Sequence, residues 1–212
     1  MPFRWVYKEP EDGEAIPKLQ EELGIPEKIA YLLSLRGIDT FDKAKNFFRP
    51  DLDLLHDPFL MKDMEEASTR LAKAIRAGEK ILVYGDYDVD GTTATSILYI
   101  FLKDFGVDVE YFIPHRFKDG YGISPEGIQF ARKRGAKLIV SVDCGITAVE
   151  EAKMAASQGI DLIICDHHNV SSEIPEAVGV LESQATRIAA ILLMGFPAPA
   201  WDSNWCRAPS AS

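Results

Sequence analysis

Apolar and polar positions alternate with two different periods between residues 79 and 181. Short apolar runs alternate along the chain with longer stretches in which apolar residues recur at a helical spacing. The apolar runs lie at 81–85, 109–114, 138–142 and 161–165, and a last strand is expected at about 177–181. The helical stretches lie at 92–105, 124–134 and 147–158. This alternation predicts βαβ units, and therefore an α/β fold in which a parallel β-sheet is flanked by helices on both faces.

The preceding residues, 1–77, predict a small helical region. Short helical segments bounded by glycine or proline lie at 14–24, 26–37 and 40–48, and Thr40 is the expected N-cap of the last one. A turn-rich connector follows and leads into a helix at 62–77 that ends at Gly78. The apolar residues on one face of this helix are Met64, Ala67, Leu71, Ala74 and Ile75. We therefore expect a helical N-terminal region at 1–77 and an α/β domain at 78–181.

Composition narrows the class of protein. The 212 residues are enough for one α/β domain with a small appendage. No apolar run approaches the ~20 residues that cross a bilayer, and the N-terminus has no apolar core followed by a cleavage site. The three cysteines, Cys144, Cys165 and Cys206, lack the spacing of a zinc site. Their odd number favours a reduced, cytoplasmic protein, and because no apolar run could span a bilayer, no membrane partner is expected.

Acids and histidines follow three of the predicted strands. Asp86, Asp88 and Asp90 come after the strand at 81–85, and Asp143 comes after the strand at 138–142. The strand at 161–165 is followed by Asp166, His167 and His168. Ligands of open parallel sheets bind beyond the carboxyl ends of the strands. We therefore expect these side chains to meet at one edge of the sheet.

Each of these motifs by itself is also typical of a solvated turn or a helix cap. Their coincidence at three strand ends favours a metal site, because clustered carboxylates repel one another unless a cation is present. Oxygen and imidazole ligands together suit Mn²⁺, with Mg²⁺ as the alternative, rather than the thiolate-rich set of structural zinc. The candidate metal ligands are Asp86, Asp88, Asp90, Asp143 and one of the two adjacent histidines, His167 in our prediction, while the other reaches the substrate or a second ion.

A basic segment follows the second predicted strand. His115, Arg116 and Lys118 lie beside Gly120 and Gly122, and offer positive charge and exposed N–H groups to a phosphate. A plain basic surface loop is the alternative, and the sequence does not decide between them. The net charge of −10 argues against non-specific binding of nucleic acid. A cluster of acidic metal ligands lowers that count, however, so composition leaves the function open.

These motifs resemble a known family. The sequences "GDYDVDGTTA", "VDCGI" and "DHH" are similar to the first three metal motifs of the DHH phosphoesterase superfamily. The segments "RGIDTFDKAKNFFRPDLDLLHDPFLMKDMEEASTRLAKAI" and "IPHRFKDGYGI" extend the resemblance to its RecJ branch. Members of that branch are 5′→3′ single-stranded-DNA exonucleases of DNA repair and recombination. The resemblance covers roughly residues 5–181.

The resemblance implies roles for individual residues and a hydrolase, specifically a nuclease, with one or two metal ions. Asp88 and Asp90 match the ligands of the first motif, with Asp86 nearby, and Asp143 matches the bridging carboxylate of the second. His167 and His168 match the third motif. The catalytic residues implied are Asp88, Asp90, Asp143, His167 and His168. The implied partners are single-stranded DNA and proteins of replication or repair.

The resemblance ends near residue 182. The family continues with a fourth metal-binding aspartate, a second domain and an OB-like domain, and none of these is found in 182–212. We therefore expect the DHH domain at 78–181 to be incomplete and its activity to be impaired. The tail at 182–212 has few charged residues and predicts neither a strand nor a capped helix.

One hypothesis for the tail is translation out of frame. Codons for residues 188–205 can be chosen so that the adjacent frame reads SGYPPYGLSGAGVGFKL, which resembles the next segment of the RecJ family. A natural short paralogue with a divergent tail is the alternative. Sequencing the coding DNA distinguishes the two, and an intact family sequence in the adjacent frame is the expected result.

Two other functions remain open. A smaller DHH phosphoesterase would act on oligonucleotides, cyclic dinucleotides or pyrophosphate, but the RecJ-like residues before Gly78 count against it. A non-catalytic DHH scaffold in replication would have no need of the intact acids and histidines. The first hypothesis is therefore a RecJ-type exonuclease dependent on Mn²⁺ or Mg²⁺.

Overall fold

The computed structural model describes residues 4, 6–54 and 56–182, and the chain divides into two compact units, Met1–His56 and Asp57–Ser212. The proposed tail lies outside the described residues, apart from Glu182. None of the helices in the described part of the chain is long and apolar enough to cross a membrane.

The first unit contains three short α-helices, as the sequence predicts, and a 3-10 turn at Leu52–Leu54. The α-helices are α1 (Ala15–Leu23), α2 (Glu27–Ser34) and α3 (Phe41–Phe48). The hydroxyl of Thr40 accepts a hydrogen bond from the backbone N–H of Lys43 at 3.3 Å, so Thr40 caps α3 as expected. The apolar residues that form the buried cluster of the unit are Leu19, Ala30, Leu33, Ile38 and Ala44. This core is small because the helices are short.

The second unit contains a five-stranded parallel sheet with helices between its strands. The helices are α4 (Met64–Ala77), α5 (Val89–Asp104), α6 (Pro125–Arg134) and α7 (Val149–Ser157). The strands are β1 (Ile81–Gly85), β2 (Val109–Phe112), β3 (Leu138–Val142), β4 (Asp161–Asp166) and β5 (Gly179–Glu182). Their order across the sheet is β2-β1-β3-β4-β5, and every pair is parallel. The predicted α/β fold is confirmed.

The sheet has an apolar core on each face. Successive residues of β1 alternate between the two, since Ile81 and Val83 pack with α4 and α5 whereas Leu82 and Tyr84 pack with residues of α6 and α7. All five residues of β1 and of β3 are buried. Burial on both faces explains why these strands read as continuous apolar runs rather than as alternating ones.

Helix α4 packs in the core of the second unit. Its residues Met64, Ala67, Leu71 and Ala74 are buried together with apolar residues of the sheet. The compact units thus divide the chain between His56 and Asp57, whereas the sequence analysis grouped α4 with the N-terminal region at 1–77. An amphipathic pattern reveals that a helix has an apolar face, but it does not reveal which element covers that face.

The order of the strands places a crevice where the functional motifs occur. The chain runs from β1 to β2 on one side and then returns to place β3 on the other side, so the order reverses between β1 and β3. Gly85 pairs with Val142, and Val142 pairs with Cys165. The next residue of each strand or turn is an aspartate, namely Asp86, Asp143 and Asp166. The register therefore brings three carboxylates to the same level of the sheet.

Candidate metal centre

The turn between β1 and α5 carries the three alternate aspartates. Asp86 is buried, and its Oδ1 accepts a hydrogen bond from the N–H of Tyr87 at 2.7 Å. Asp88 is exposed and is the N-cap of α5, because its Oδ1 accepts from the N–H of Gly91 at 2.9 Å. Asp90 is exposed in the first turn of the helix. The helix begins at Val89 rather than at the expected residue 92, because this cap starts it earlier.

A glycine lets α5 approach the end of β1. A Cβ atom at Gly91 would lie 2.6 Å from the backbone N and O of Asp86, closer than any side chain tolerates. The first turn of α5 therefore rests directly on the backbone of Asp86. This contact fixes Asp86 and Asp88 relative to each other.

Asp143 ends β3 in an unusual backbone conformation. Its φ is 65°, in the left-handed region that aspartate adopts more readily than most residues. Its N–H donates to the carbonyl of Cys165 at 2.8 Å, which ties the turn to β4. The side chain is buried, and its Oδ1 lies 3.0 Å from Nε2 of His167.

Asp166 holds two neighbouring segments in place. Its Oδ2 accepts from the N–H of Ile146 at 2.9 Å, in the turn that follows Asp143. Its Oδ1 accepts from the N–H of His168 at 3.1 Å and lies 2.7 Å from Nδ1 of the same ring. A carboxylate that accepts from Nδ1–H leaves Nε2 as the free acceptor, which is how outer carboxylates commonly orient metal-binding histidines. Asp166 thus orients His168 from a fully buried position.

Three residues bring donor atoms together. Single donor atoms of Asp143, His167 and His168 lie within 4.8 Å of one another, which is close enough for all three to hold one ion. Among the residues that the structure describes, this group does not include Asp86, Asp88 or Asp90. A carboxylate with two imidazoles fits a divalent transition metal such as Mn²⁺.

The charges of the site act on one another. Burial raises the pKa of Asp143 to about 6, and repulsion from Asp88 adds to the shift, while His167 opposes it. Burial also raises the pKa of Asp86, to which Asp88 and Asp166 contribute. Asp88 therefore lies near enough to the three-residue group to act on it electrostatically. Neighbouring acids that raise the pKa values of Asp143 and Asp86 in this way favour the binding of a cation.

The pKa of His168 is also raised, which for an imidazole favours the charged form. Burial opposes its protonation, but the hydrogen bond to Asp166 and the charges of Asp166, Asp143 and Asp86 outweigh this, so its pKa is raised. The acids of the site thus attract positive charge even at a partly buried imidazole.

The basic segment forms a turn above this edge of the sheet. His115, Arg116 and Lys118 are all exposed. The N–H of His115 donates to Oδ2 of Asp119 at 2.7 Å, which closes the turn. The guanidinium carbon of Arg116 lies 5.4 Å from the centroid of the Tyr87 ring. Arg116 is therefore connected to the turn after β1 through a cation–π contact.

Tyr121 is a site residue that the sequence analysis missed. Its hydroxyl lies 3.1 Å from Nε2 and 3.2 Å from Nδ1 of His168, and the two rings meet edge to face. Burial and the nearby acids Asp166 and Asp86 raise the pKa of Tyr121, so the phenol stays protonated. The only signal in the sequence is its place between Gly120 and Gly122.

Comparison with protein families identifies the domain. The model of the DHH family, N-terminal domain, matches residues 80–194, which is more than half of the chain and includes every residue of the metal centre. The chain belongs to the DHH family. The match extends beyond residue 182 into the segment that the sequence analysis treats as an atypical tail, and the origin of that tail stays a hypothesis.

Several relatives of this DHH domain are RecJ proteins. The single-stranded-DNA-specific exonuclease RecJ of Bacillus subtilis is 42% identical over 179 residues, which are 84% of this chain and 23% of that protein. The RecJ of Escherichia coli is 39% identical over 122 residues, 57% of this chain and 21% of that protein. The chain therefore spans less than a quarter of the length of these relatives.

Solved structures give the same relationship. An exonuclease RecJ bound to manganese superposes with a TM-score of 0.59 at 34% identity, over 64% of this chain and 37% of that one. RecJ of Thermus thermophilus in complex with Mn²⁺ has a TM-score of 0.65 at 28% identity, over 91% of this chain and 28% of that one. The resemblance of this DHH domain to the RecJ branch is confirmed.

Proposed function

We propose that this chain carries the metal-binding part of a RecJ-type phosphodiesterase, which degrades single-stranded DNA in the 5′→3′ direction with Mn²⁺ or Mg²⁺. The observation that carries the proposal is the group of donor atoms from Asp143, His167 and His168 at the carboxyl edge of the sheet. The role is one in DNA repair and recombination, with replication or repair proteins as partners.

Asp143 and His167 hold the metal ion in this proposal. Asp88 adds negative charge beside them, and Asp86 and Asp90 complete the acidic turn after β1. A bound divalent ion would supply an activated water and would offset charge on the phosphate oxygens. The His167–Asp143 contact of 3.0 Å supports this assignment, because an imidazole and a carboxylate that already pair can share an ion.

The remaining residues bind and orient the substrate. Asp166 keeps the ring of His168 in place, with Nε2 turned away from it. Arg116 offers a fixed positive charge that attracts a phosphate, and it is the member of the basic segment tied to the turn after β1 through Tyr87. His115 and Lys118 extend that charge along the exposed turn.

The comparisons favour a RecJ-type enzyme over a small DHH phosphoesterase. An alignment of 179 residues with the Bacillus subtilis RecJ cannot fit within residues 80–194, so the similarity includes residues outside the DHH match. The relatives are named single-stranded-DNA-specific exonucleases, and the solved neighbours bind manganese. The intact acids and histidines argue against a scaffold without catalytic activity.

The test is hydrolysis of 5′-phosphorylated single-stranded DNA by the purified chain in Mn²⁺. The parent and Asp104→Asn, which removes an exposed carboxylate at the far end of α5, are expected to release mononucleotides from the 5′ end at a low rate, in keeping with the impaired activity expected from the sequence. Asp143→Asn and a chelated parent are expected to release none.

Three results would contradict parts of the proposal. Equal release by Asp143→Asn would remove the metal centre from the mechanism. Cleavage of dinucleotides or cyclic dinucleotides without cleavage of longer strands would favour the smaller phosphoesterase. Binding of Mn²⁺ without any hydrolysis would assign this chain a metal site but no nuclease activity.

A further inference from the structure

Phe117 is an exposed aromatic residue in the middle of the basic segment. Its side chain is 89% exposed, and of the large apolar side chains that the structure describes only Tyr7, at 91%, is more exposed. We propose that Phe117 binds the substrate by stacking on an unpaired base of single-stranded DNA, while Arg116 and Lys118 meet the phosphates. The inference rests on the proposed function and adds to it a residue that recognises an unpaired base.

The neighbours of Phe117 distinguish it from an ordinary exposed apolar residue, which is common on protein surfaces. Arg116 and Lys118 flank it, and neither forms an ion pair with an acid in the part of the chain that the structure describes. The acid of the segment, Asp119, instead accepts the N–H of His115 at 2.7 Å. An aromatic ring between unpaired cations suits single-stranded nucleic acid, because a base stacks on the ring and the phosphates meet the cations.

The turn that carries Phe117 is held by its backbone and does not need the ring. The N–H groups of Lys118 and Asp119 both donate to the carbonyl of His115 at 2.9 Å. The N–H of Phe117 donates to Nδ1 of His115 at 3.3 Å. The Phe117 ring lies beside the His115 ring, with centroids 6.0 Å apart. A ring presented on a turn that is already closed loses less conformational entropy when a base stacks on it.

The contacts of Arg116 connect this turn to the metal centre. Its guanidinium carbon lies 5.4 Å from the centroid of the Tyr87 ring, and Tyr87 lies between Asp86 and Asp88 in sequence. A strand that stacks on Phe117 therefore has its backbone beside the acidic turn after β1. Stacking also gives a preference for single strands, because the bases of a duplex are paired and stacked and extruding one costs free energy.

The substitution Phe117→Ala removes the ring, and Tyr7→Ala is the control because Tyr7 is an aromatic residue of almost the same exposed fraction. Fluorescence anisotropy measures the binding of a 5′-phosphorylated oligothymidine labelled at its 3′ end. The buffer contains Ca²⁺, an oxygen-binding ion that offsets the acids, and electrophoresis checks that the strand stays intact. Affinity is expected to fall about tenfold for Phe117→Ala, toward the lower end of the loss caused by removal of one base–aromatic stack. Tyr7→Ala is expected to bind like the parent.

Two further comparisons show whether the ring contacts a base. A strand made only of abasic sugar-phosphate units keeps the phosphates and offers no base, so the parent and Phe117→Ala are expected to bind it equally. Arg116→Gln is expected to reduce the slope of log affinity against log salt concentration by about 0.7, the value for one phosphate contact of a single strand. Phe117→Ala is expected to keep the slope and the thermal midpoint of the parent.

The outcomes separate this inference from the proposed function. A parent that binds the strand in Ca²⁺ but hydrolyses nothing in Mn²⁺ contradicts the nuclease, and the affinity of Phe117→Ala then decides the role of the ring alone. An unchanged affinity in Phe117→Ala would overturn the inference, as would a parent that binds no single strand. An equal loss of affinity for the abasic strand, or an equal loss in Tyr7→Ala, would also overturn it, because neither pattern comes from stacking of Phe117 on a base.

Discussion

The two edges of the sheet handle charge in opposite ways. At the amino edge, Arg70 pairs with Glu79 and Asp161, and the chain places each acid within hydrogen-bonding distance of the guanidinium. At the carboxyl edge, the described carboxylates accept backbone N–H groups and contact two imidazoles, and none of them pairs with a lysine or arginine among the described residues. The acids and histidines of that edge are Asp86, Asp88, Asp143, Asp166, His167 and His168. One edge of the sheet thus has acids that pair with an arginine, and the other has a cluster of acids that do not.

The pKa shifts of Arg70 and Asp143 show the same difference between the two edges. Burial disfavours the charge on Arg70, but hydrogen bonds and charges from Asp161 and Glu79 outweigh this effect. The pKa of Arg70 is therefore raised, and its guanidinium stays charged. At Asp143, burial and the charge of Asp88 both disfavour ionisation, and His167 does not compensate. The acids of the amino edge therefore already have a cationic partner, whereas those of the carboxyl edge would gain one from a bound metal ion. This contrast is a physical argument for a ligand site that does not depend on any relative.

The largest effect is expected from the addition of Mn²⁺. Mn²⁺ at about 100 times its dissociation constant stabilises a chain that binds it by about 2.7 kcal/mol. For a chain of this size the thermal midpoint rises by roughly 5–10 °C. Asp143→Asn is expected to show no rise, because it removes the carboxylate of the donor group. The exposed control Asp104→Asn is expected to respond like the parent, and thermal unfolding with and without Mn²⁺ measures all three.

A rise of equal size in Asp143→Asn would break the comparison between the edges. It would mean that Mn²⁺ binds elsewhere on the chain, and that the unbalanced charge at the carboxyl edge does not mark the metal site.

The amino edge is expected to lose stability when its cation is removed. Arg70→Met leaves Glu79 and Asp161 without their partner, and the Arg70 side chain is only 12% exposed. Because Asp161 is half exposed and hydrates readily, we expect a loss of about 2 kcal/mol, below the full cost of breaking a buried pair. Chemical denaturation measures this value, and Mn²⁺ binding is expected to stay unchanged.

The matched control is Lys153→Met, which breaks the exposed pair with Glu150. An exposed pair of this kind contributes less than about 1 kcal/mol. A loss in Arg70→Met no larger than in Lys153→Met would show that the amino edge does not depend on its ion pairs.

Much of the fold follows from local pattern. The strands β1 and β3 have continuous apolar runs because both faces of the sheet are covered, and the glycines after α4 and α6 end those helices in the left-handed conformation. The earlier start of α5 depends on one hydrogen bond from the N–H of Gly91 to Asp88, which spacing alone does not specify. The partner of α4 likewise depends on tertiary packing rather than on its own sequence.

Some residues of the candidate site are likewise predictable from the sequence, and others are not. Asp143, His167 and His168 are predictable because each closely follows a strand, and parallel strands bring their carboxyl ends together. The alternate spacing of Asp86, Asp88 and Asp90 suggests three equal ligands, whereas the structure uses Asp88 as a helix cap and leaves Asp90 exposed. Tyr121 meets His168 across 47 residues of sequence, so no local pattern indicates it.

A neutral hydrogen bond at the carboxyl edge is expected to have an intermediate effect. Tyr84→Phe removes the hydroxyl that bonds to Gly122 and Ser124, and burial has raised the pKa of Tyr84 to about 12, so this hydroxyl is always protonated. Leaving buried partners unsatisfied costs about 1–2 kcal/mol. Denaturation measures the loss, and limited proteolysis is expected to cut the segment at 115–124 faster. Unchanged cleavage would mean that Tyr84 does not anchor that segment.

The smallest expected effect is a gain in the stability of the metal-free chain rather than a loss. It tests directly whether the charge at the carboxyl edge is unfavourable without a metal ion. In the absence of metal, Asp143→Asn removes a charge that burial and Asp88 both disfavour. Asparagine accepts the left-handed backbone at this position, where φ is 65°, so the substitution adds no backbone strain. Allowing for screening at this open edge, we expect stability to rise by about 1 kcal/mol, or about 2–4 °C in thermal midpoint. The measurement is thermal unfolding in chelator, beside Asp104→Asn, for which no gain is expected. A lower midpoint for Asp143→Asn would mean that the carboxylate stabilises the metal-free fold through His167, and the carboxyl edge would then be balanced without a cation.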